Sequence, residues 1–172
     1  MIYVAERAGK IDVKTGKERK FKLYKFRSMT NDTDEDGKLL PDAKRLTKFG
    51  RILRSTSLDE LPETFNIIKG DMSVIGPRPL PLIYLPYYTE SERHRHDVRP
   101  GLSGYAQVNG RNALSWNDKF KLDLYYVENL SFVNDIKIVF QTVIKAIKRE
   151  GIGQGENMPN NLYDERSNVI MK

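Results

Sequence analysis

Hydrophobic and polar positions change their period several times along this chain. FKLYKFR, residues 21–27, alternates aromatic or aliphatic residues with lysine, the period of a half-buried strand. Residues 2–5 form a second strand candidate. The GKIDVKTGKERK between them is polar and glycine-bearing, like a hairpin loop or an exposed basic ribbon. TNDTDEDGKLLPD follows as an acidic, turn-rich, mobile loop. The period then turns helical. DAKRLTKFGRILR predicts one basic amphipathic helix over 42–54, with Leu46, Phe49 and Leu53 on one face. A second helix starts near Ser57, where Pro62 is tolerated only in the first turn; Leu58, Leu61, Phe65 and Ile68 give it an apolar face. Thr89 can cap a short helix to about His96, and RPGLSGYAQVNGRN, 99–112, reads as a glycine-punctuated loop around a short strand. Ser115 and Ser131 can cap two further helices. The last gathers Phe132, Ile136, Val139, Phe140, Val143, Ile144 and Ile147 on one face, with Lys145, Lys148 and Arg149 near its end at Gly151.

These elements imply an α+β fold: a single compact domain of several amphipathic helices with a small β-hairpin or sheet. At 172 residues there is room for one core. The domain is expected over 1–150, with 151–172 a polar, flexible tail. Cysteine is absent, which excludes disulfides and thiolate metal sites. The two histidines, His94 and His96, read as surface residues. Net charge is +6, unevenly placed: residues 1–54 hold fifteen Lys/Arg against eight Asp/Glu, the remainder fourteen against fifteen. The basic third should attract nucleic acid, an acidic membrane surface or a phosphorylated ligand. No apolar run is long enough to span a bilayer, and no secretory signal is visible.

The chemistry concentrates in RSTSLDELPETFNIIKGDMSVIGPRP, Arg54 to Pro79. Ser57 and Glu60 have the spacing of a capping box, which explains Glu60 and leaves Asp59 free. A helix dipole would hold Asp59 ionised, as a metal ligand or as a nucleophile forming an acyl phosphate. Gly70 and Gly76 permit turns, and Pro77 and Pro79 stiffen the backbone around Arg78. A pre-set arginine loses little entropy on gripping a phosphate; the plain alternative is a surface arginine on an ordinary turn. Asp123 falls on the buried side of its helix with Trp116 and Phe120. It needs either a structural arginine partner or a role in an active site. Arg99, Gln107, Asn109, Arg111 and Asn112 can hold a nucleotide or sugar, and equally can fill an ordinary loop. Carboxylates beside arginines suit phosphate chemistry with Mg²⁺.

SLDELPETFNIIKGDMSVIGPRP, preceded by KFRSM and followed by VRPGLSGYAQVNGRN and FKLDLYYVENLSF, resembles the bacterial sugar transferase family of monotopic polyprenyl-phosphate phosphoglycosyl transferases. The likeness runs in order from about Tyr3 to Arg149. NGRNALSWNDKFKLDLYYV is most similar to the small members that handle N-acetylated amino sugars. The resemblance implies that Asp59 attacks the β-phosphate of a UDP-sugar, that UMP leaves, and that polyprenyl phosphate takes the sugar phosphate from Asp59. It implies Glu60 as proton handler or metal positioner, Mg²⁺ on Asp59 and Glu60, and Arg54 and Arg78 as charge clamps. Arg99, Gln107, Asn109, Arg111 and Asp123 are its candidate substrate contacts.

It also implies work at the cytoplasmic face of the bacterial inner membrane, with a hydrophobic re-entrant helix at the N-terminus. The chain starts just after the point where that helix should end, so the expectation is a piece of a longer protein. The helices at 42–54 and 131–149 could lie on an anionic leaflet or pack in the core. Two other readings stay open: a catalytically silent surface- or partner-binding fragment, and a basic nucleic-acid-binding module resting on the basic N-terminal third and FKLYKF.

Overall fold

The computed structural model describes residues 1–110, 114–148 and 161–170. It is an α+β arrangement, as the period changes imply. An antiparallel hairpin pairs β1 (Ile2–Asp12) with β2 (Lys17–Phe26), so the polar stretch between the two predicted strands is itself largely strand. Tyr3, Ala5 and Arg7 face Lys25, Leu23 and Phe21 across the ladder, which puts these six on one side of the pleat. Phe21 and Leu23 bury there with Met72. Lys25 therefore points inward with them, against the outward place that the alternation of apolar residues with lysine implies.

The 42–54 segment is two helices, α1 (Asp42–Arg45) and α2 (Lys48–Ser55), because Leu46 turns extended to bridge Met29 and Thr47 caps the second. Leu53 is buried, but Phe49 and Ile52 are exposed. Ser57 sits in the left-handed region at φ 56° and makes no cap hydrogen bond, so the capping box does not form. Leu58–Glu60 is a single 3₁₀ turn, and α3 (Glu63–Ile68) starts after Pro62.

The apolar face of this region is turned outward. Phe65 and Ile68 are 63% and 81% exposed, with Leu58 and Leu61 half-exposed, while Asn66 is fully buried. Asn66 is the reason: its Nδ2 donates to the Lys22 carbonyl at 2.7 Å and its Oδ1 accepts the Tyr24 N–H at 3.2 Å. One side chain thus satisfies the outer edge of β2 and fixes which face of α3 meets the hairpin.

A short parallel pair joins β3 (Ser73–Ile75) to β4 (Gly101–Ser103). Gly76 lies against this crossing: a Cβ there would meet the Arg99 carbonyl at 2.4 Å. Thr89 and Glu92 form a full capping box on α4 (Glu90–Arg93). Three more helices, α5 (Tyr105–Val108), α6 (Trp116–Glu128) and α7 (Phe132–Lys148), pack behind, Ile138 and Tyr126 burying with Ile75 and Val108. On α7 only Ile138 is buried; Phe132, Val133, Phe140, Val143, Ile144 and Ile147 are exposed, so its apolar stripe also faces outward. Arg149 and Gly151 lie outside the described residues.

Within the expected tail, the described residues form a helix. Leu162–Ile170 is helix α8, Leu162 is completely buried against Tyr84 and Trp116, and Arg166 clamps both oxygens of Glu92 at 2.6 and 2.7 Å. His94 is exposed and bonds Asp97, but His96 is buried, its Nδ1 3.2 Å from the Gly9 carbonyl. Burial, then the nearby Arg95, pulls the His96 imidazole down to about 4. The unfolded chain takes up that proton near pH 6.5 and the folded one does not, so stability is full above pH 6.5 and falls as pH drops toward 4. Chemical denaturation should show a loss of about 2 kcal/mol between pH 7 and pH 5 that His96→Phe removes. An equal loss in the variant would assign it to other groups.

Candidate active site

Four separate pieces of chain meet at Asp59–Glu60. β2 brings Lys25, α2 brings Arg54, the 3₁₀ turn carries the two acids, and the proline-framed segment after β3 brings Arg78. Lys25 Nζ lies 2.7 Å from Glu60 Oε1 and 3.0 Å from Glu63 Oε1. Arg78 Nη2 reaches the same Glu60 oxygen at 2.8 Å. Arg54 donates from Nε to Ser28 Oγ at 3.0 Å, and Ser28 is buried. Arg54, Arg78 and the dyad are thus brought together as the sequence predicts. Lys25, Glu63 and Ser28 are members the sequence reading missed; Lys25 and Ser28 stand in the KFRSM stretch, and Glu63 follows the dyad by three.

The two acids differ in electrostatic state. Burial alone would push Glu60 up, but Arg78 and then Lys25 outweigh it and hold it down at about 2. A carboxylate held that low is a poor proton acceptor at neutral pH. Asp59 is shifted the other way. Its half-buried place and the charge of Glu60 raise it, against Lys25, Arg54 and Arg78. The dipole expected to keep Asp59 ionised is not what governs it, since the turn is only three residues long. No hydrogen bond or ion pair among the described residues reaches Asp59. It is a free carboxylate in a ring of cations, beside a partner carboxylate that those cations already hold.

That donor set fits a hard cation in an open site. Magnesium takes one or two carboxylates and completes its shell with waters and phosphates. Asp59 offers unshared oxygens; Glu60 Oε1 is committed, which leaves its Oε2. Among the described residues no three acids or histidines converge to hold a metal without substrate.

Asp123 is not in this site. It is buried, and Arg95 donates to its Oδ2 from Nε at 3.0 Å and Nη2 at 2.7 Å. Arg95 Nη2 also donates to the Arg78 carbonyl at 2.8 Å. Asp123 is therefore the structural partner of an arginine that grips the backbone of the site from behind. Arg99 is exposed, and no interaction links it, Gln107 or Asn109 to the dyad. Asn109 caps its own helix end, donating to the Tyr105 carbonyl at 2.8 Å, while both amide atoms of Gln107 are buried without a hydrogen-bond partner among the described residues. Arg111 and Asn112 lie outside the described residues.

The chain belongs to the bacterial sugar transferase family, whose sequence profile matches residues 1–149. Among its relatives, an uncharacterised sugar transferase of Bacillus subtilis strain 168, EpsL, is 57% identical over 134 residues, covering 78% of this chain and 66% of the relative. The undecaprenyl-phosphate galactose phosphotransferase of Salmonella typhimurium is 38% identical over 149 residues, covering 76% of this chain and 31% of its own. A UDP-N-acetylgalactosamine-undecaprenyl-phosphate N-acetylgalactosaminephosphotransferase of Aeromonas hydrophila is 41% identical over 137 residues, covering 73% and 31%. This chain spans about two thirds of the first relative and about a third of the other two.

Proposed function

We propose that the chain carries the catalytic site of a phosphoglycosyl transferase that moves a sugar 1-phosphate from a UDP-sugar to a polyprenyl phosphate. The observation that carries this reading is the unpartnered Asp59 carboxylate among Lys25, Arg54 and Arg78. An Asp59 oxygen attacks the β-phosphorus of the UDP-sugar; the P–O bond to UMP breaks, and UMP leaves with the electron pair. The sugar phosphate remains on Asp59 as an acyl phosphate. An oxygen of the polyprenyl phosphate then attacks the same phosphorus, and the Asp59–phosphorus bond breaks to restore the carboxylate. No proton needs to pass through Asp59 in either half.

Lys25, Arg54 and Arg78 stabilise the charge that builds on the transferring group. Glu60, pinned by two of those cations, orients them; this favours positioning over the proton-handling role. Magnesium, held through Asp59 and Glu60 Oε2, would neutralise the diphosphate. Two of the relatives above are named for galactose and N-acetylgalactosamine, and an N-acetylated amino sugar is the choice we favour here. The test is intact-protein mass after incubation with Mg²⁺ and a panel of UDP-sugars. A gain of one sugar phosphate with UMP release supports the reading and identifies the sugar.

The exposed apolar side chains of α2, the 3₁₀ turn and α3 favour a lipid surface as the place of work, at the cytoplasmic leaflet where a UDP-sugar is available. Among the described residues no helix is long and apolar enough to cross a membrane. Phe49, Ile52, Leu58, Leu61, Phe65 and Ile68 are instead exposed apolar side chains on the turn that carries the dyad and on the helices flanking it, with the basic Lys48 and Arg51 on α2. Phe65→Glu with Ile68→Glu should weaken cosedimentation with anionic phospholipid vesicles by roughly tenfold or more, with an unchanged melting temperature. Equal binding by the variant would remove this face from the membrane contact. The nucleic-acid reading loses support here, because Lys25 of FKLYKF is an inward residue held by two acids.

A further inference from the structure

Behind Arg78 the hairpin and the proline segment line an open cleft of about 140 Å³. Arg7, Leu23 and Lys25 line it from the inner side of the hairpin, Glu63 from α3, and Arg78 to Pro81 from the opposite wall. A backbone bridge between Arg7 and Pro81 holds that wall against β1, through the Ala8 N–H that donates to the Leu80 carbonyl at 3.3 Å. The cleft is thus a built feature, with one apolar flank and a charged floor.

Of its lining residues three are cations, Arg7, Lys25 and Arg78, and one is an acid, Glu63. Glu63 Oε1 is bound to Lys25, and Glu60 Oε1 is shared between Lys25 and Arg78. Arg7 is left without an ion pair among the described residues. Its one hydrogen bond runs from Nη1 to the carbonyl of the preceding Glu6, at 2.9 Å. Partial burial disfavours its charge, and the like charge of Arg78 disfavours it further, with Tyr3 and Glu63 opposing. Holding two guanidinium groups near one another beside a half-closed cleft costs free energy unless an anion joins them. Guanidinium forks suit phosphate, which accepts two parallel N–H bonds from each.

We propose that Arg7, together with Arg78, forms an anion subsite in this cleft that takes a phosphate group of one of the two substrates. The inference rests on the reading above, that the chain handles phosphate esters, and adds to it a residue outside the dyad segment. The apolar flank of Leu23, Pro79, Leu80 and Pro81 suits a phosphate with an apolar neighbour, and the cations suit either substrate. Donor and acceptor share the phosphate chemistry and are separated by the test.

The experiment measures binding of UDP and, separately, of farnesyl phosphate to the wild-type chain and to Arg7→Gln. The variant should bind one of them at least roughly tenfold more weakly, the loss expected for a charge-assisted pair of bonds. Weakening of UDP alone assigns the subsite to the donor; weakening of farnesyl phosphate alone assigns it to the acceptor. Unchanged binding of both overturns the proposal. Because Arg7→Gln could disturb the hairpin, the wild-type chain with ¹⁵N-labelled arginine is also titrated with pyrophosphate. The Arg7 Nε–H resonance should move with saturation, and a stationary Arg7 resonance overturns the subsite. A sugar-phosphate adduct that still forms on Asp59 while Arg7 stays silent would remove the subsite and leave the proposed function standing. A shifted Arg7 resonance with no adduct from any UDP-sugar would support the subsite and remove the function.

Discussion

Asp59→Asn is expected to abolish sugar-phosphate transfer. Incubated with Mg²⁺ and the UDP-sugar to which the wild-type chain responds, the variant should show no mass gain, and UMP release should fall by roughly 10³-fold or more. The amide has nearly the same shape and no nucleophilic oxygen, so the fold should be untouched. Asp59 has no hydrogen bond to lose, and its replacement also removes a charge next to Glu60. Thermal stability should therefore hold or rise slightly. Binding of the UDP-sugar should survive, because Lys25, Arg54 and Arg78 remain. The raised Asp59 places the acid limb of the wild-type rate at higher pH than an ordinary aspartate would give. If the variant still gains a sugar phosphate, the nucleophile lies elsewhere and Asp59 is only a turn residue.

The largest effect on stability should come from Asp123→Ala. The change leaves the Arg95 guanidinium buried, with Tyr88 Oη at 3.5 Å and the Arg78 carbonyl as its remaining acceptors. Breaking a buried ion pair from one side typically costs about 3–5 kcal/mol, or roughly 6–20 °C of Tm in a chain of this size. Arg95→Met combined with Asp123→Leu should recover much of this, since apolar residues of similar volume are tolerated where a buried pair was. Transferase activity should not recover with it. Arg95 carries the grip on the Arg78 carbonyl, and Arg78 then loses its backbone anchor beside Glu60. Thermal unfolding and adduct formation, measured on the same two variants, separate these roles. Full recovery of both would show that the Arg95 contact to Arg78 is incidental.

Much of this was legible along the chain. The order of strands and helices follows from period and from Thr89, Ser115 and Ser131, whose side chains accept their caps locally. The dyad and its arginines sit within twenty-five residues, and Pro77 and Pro79 mark Arg78 as a fixed cation. Such signals are short-range, and local sequence is enough to specify them.

Facing was not legible. Period assigns Leu58, Leu61, Phe65 and Ile68 to one side of their segment; it does not say whether protein or another medium meets that side. The tertiary structure decided it through Asn66, whose two hydrogen bonds to β2 are made across more than forty residues of sequence. The same holds for Lys25, turned inward by strand register and two acids from other elements, and for Asp123, whose partner Arg95 lies 28 residues away. The sequence by itself determined the broad order of strands and helices and where the candidate carboxylate stands. Only the tertiary structure decided which groups neutralise which, because desolvation and Coulomb energy depend on distances in space that neighbouring positions along the chain do not encode.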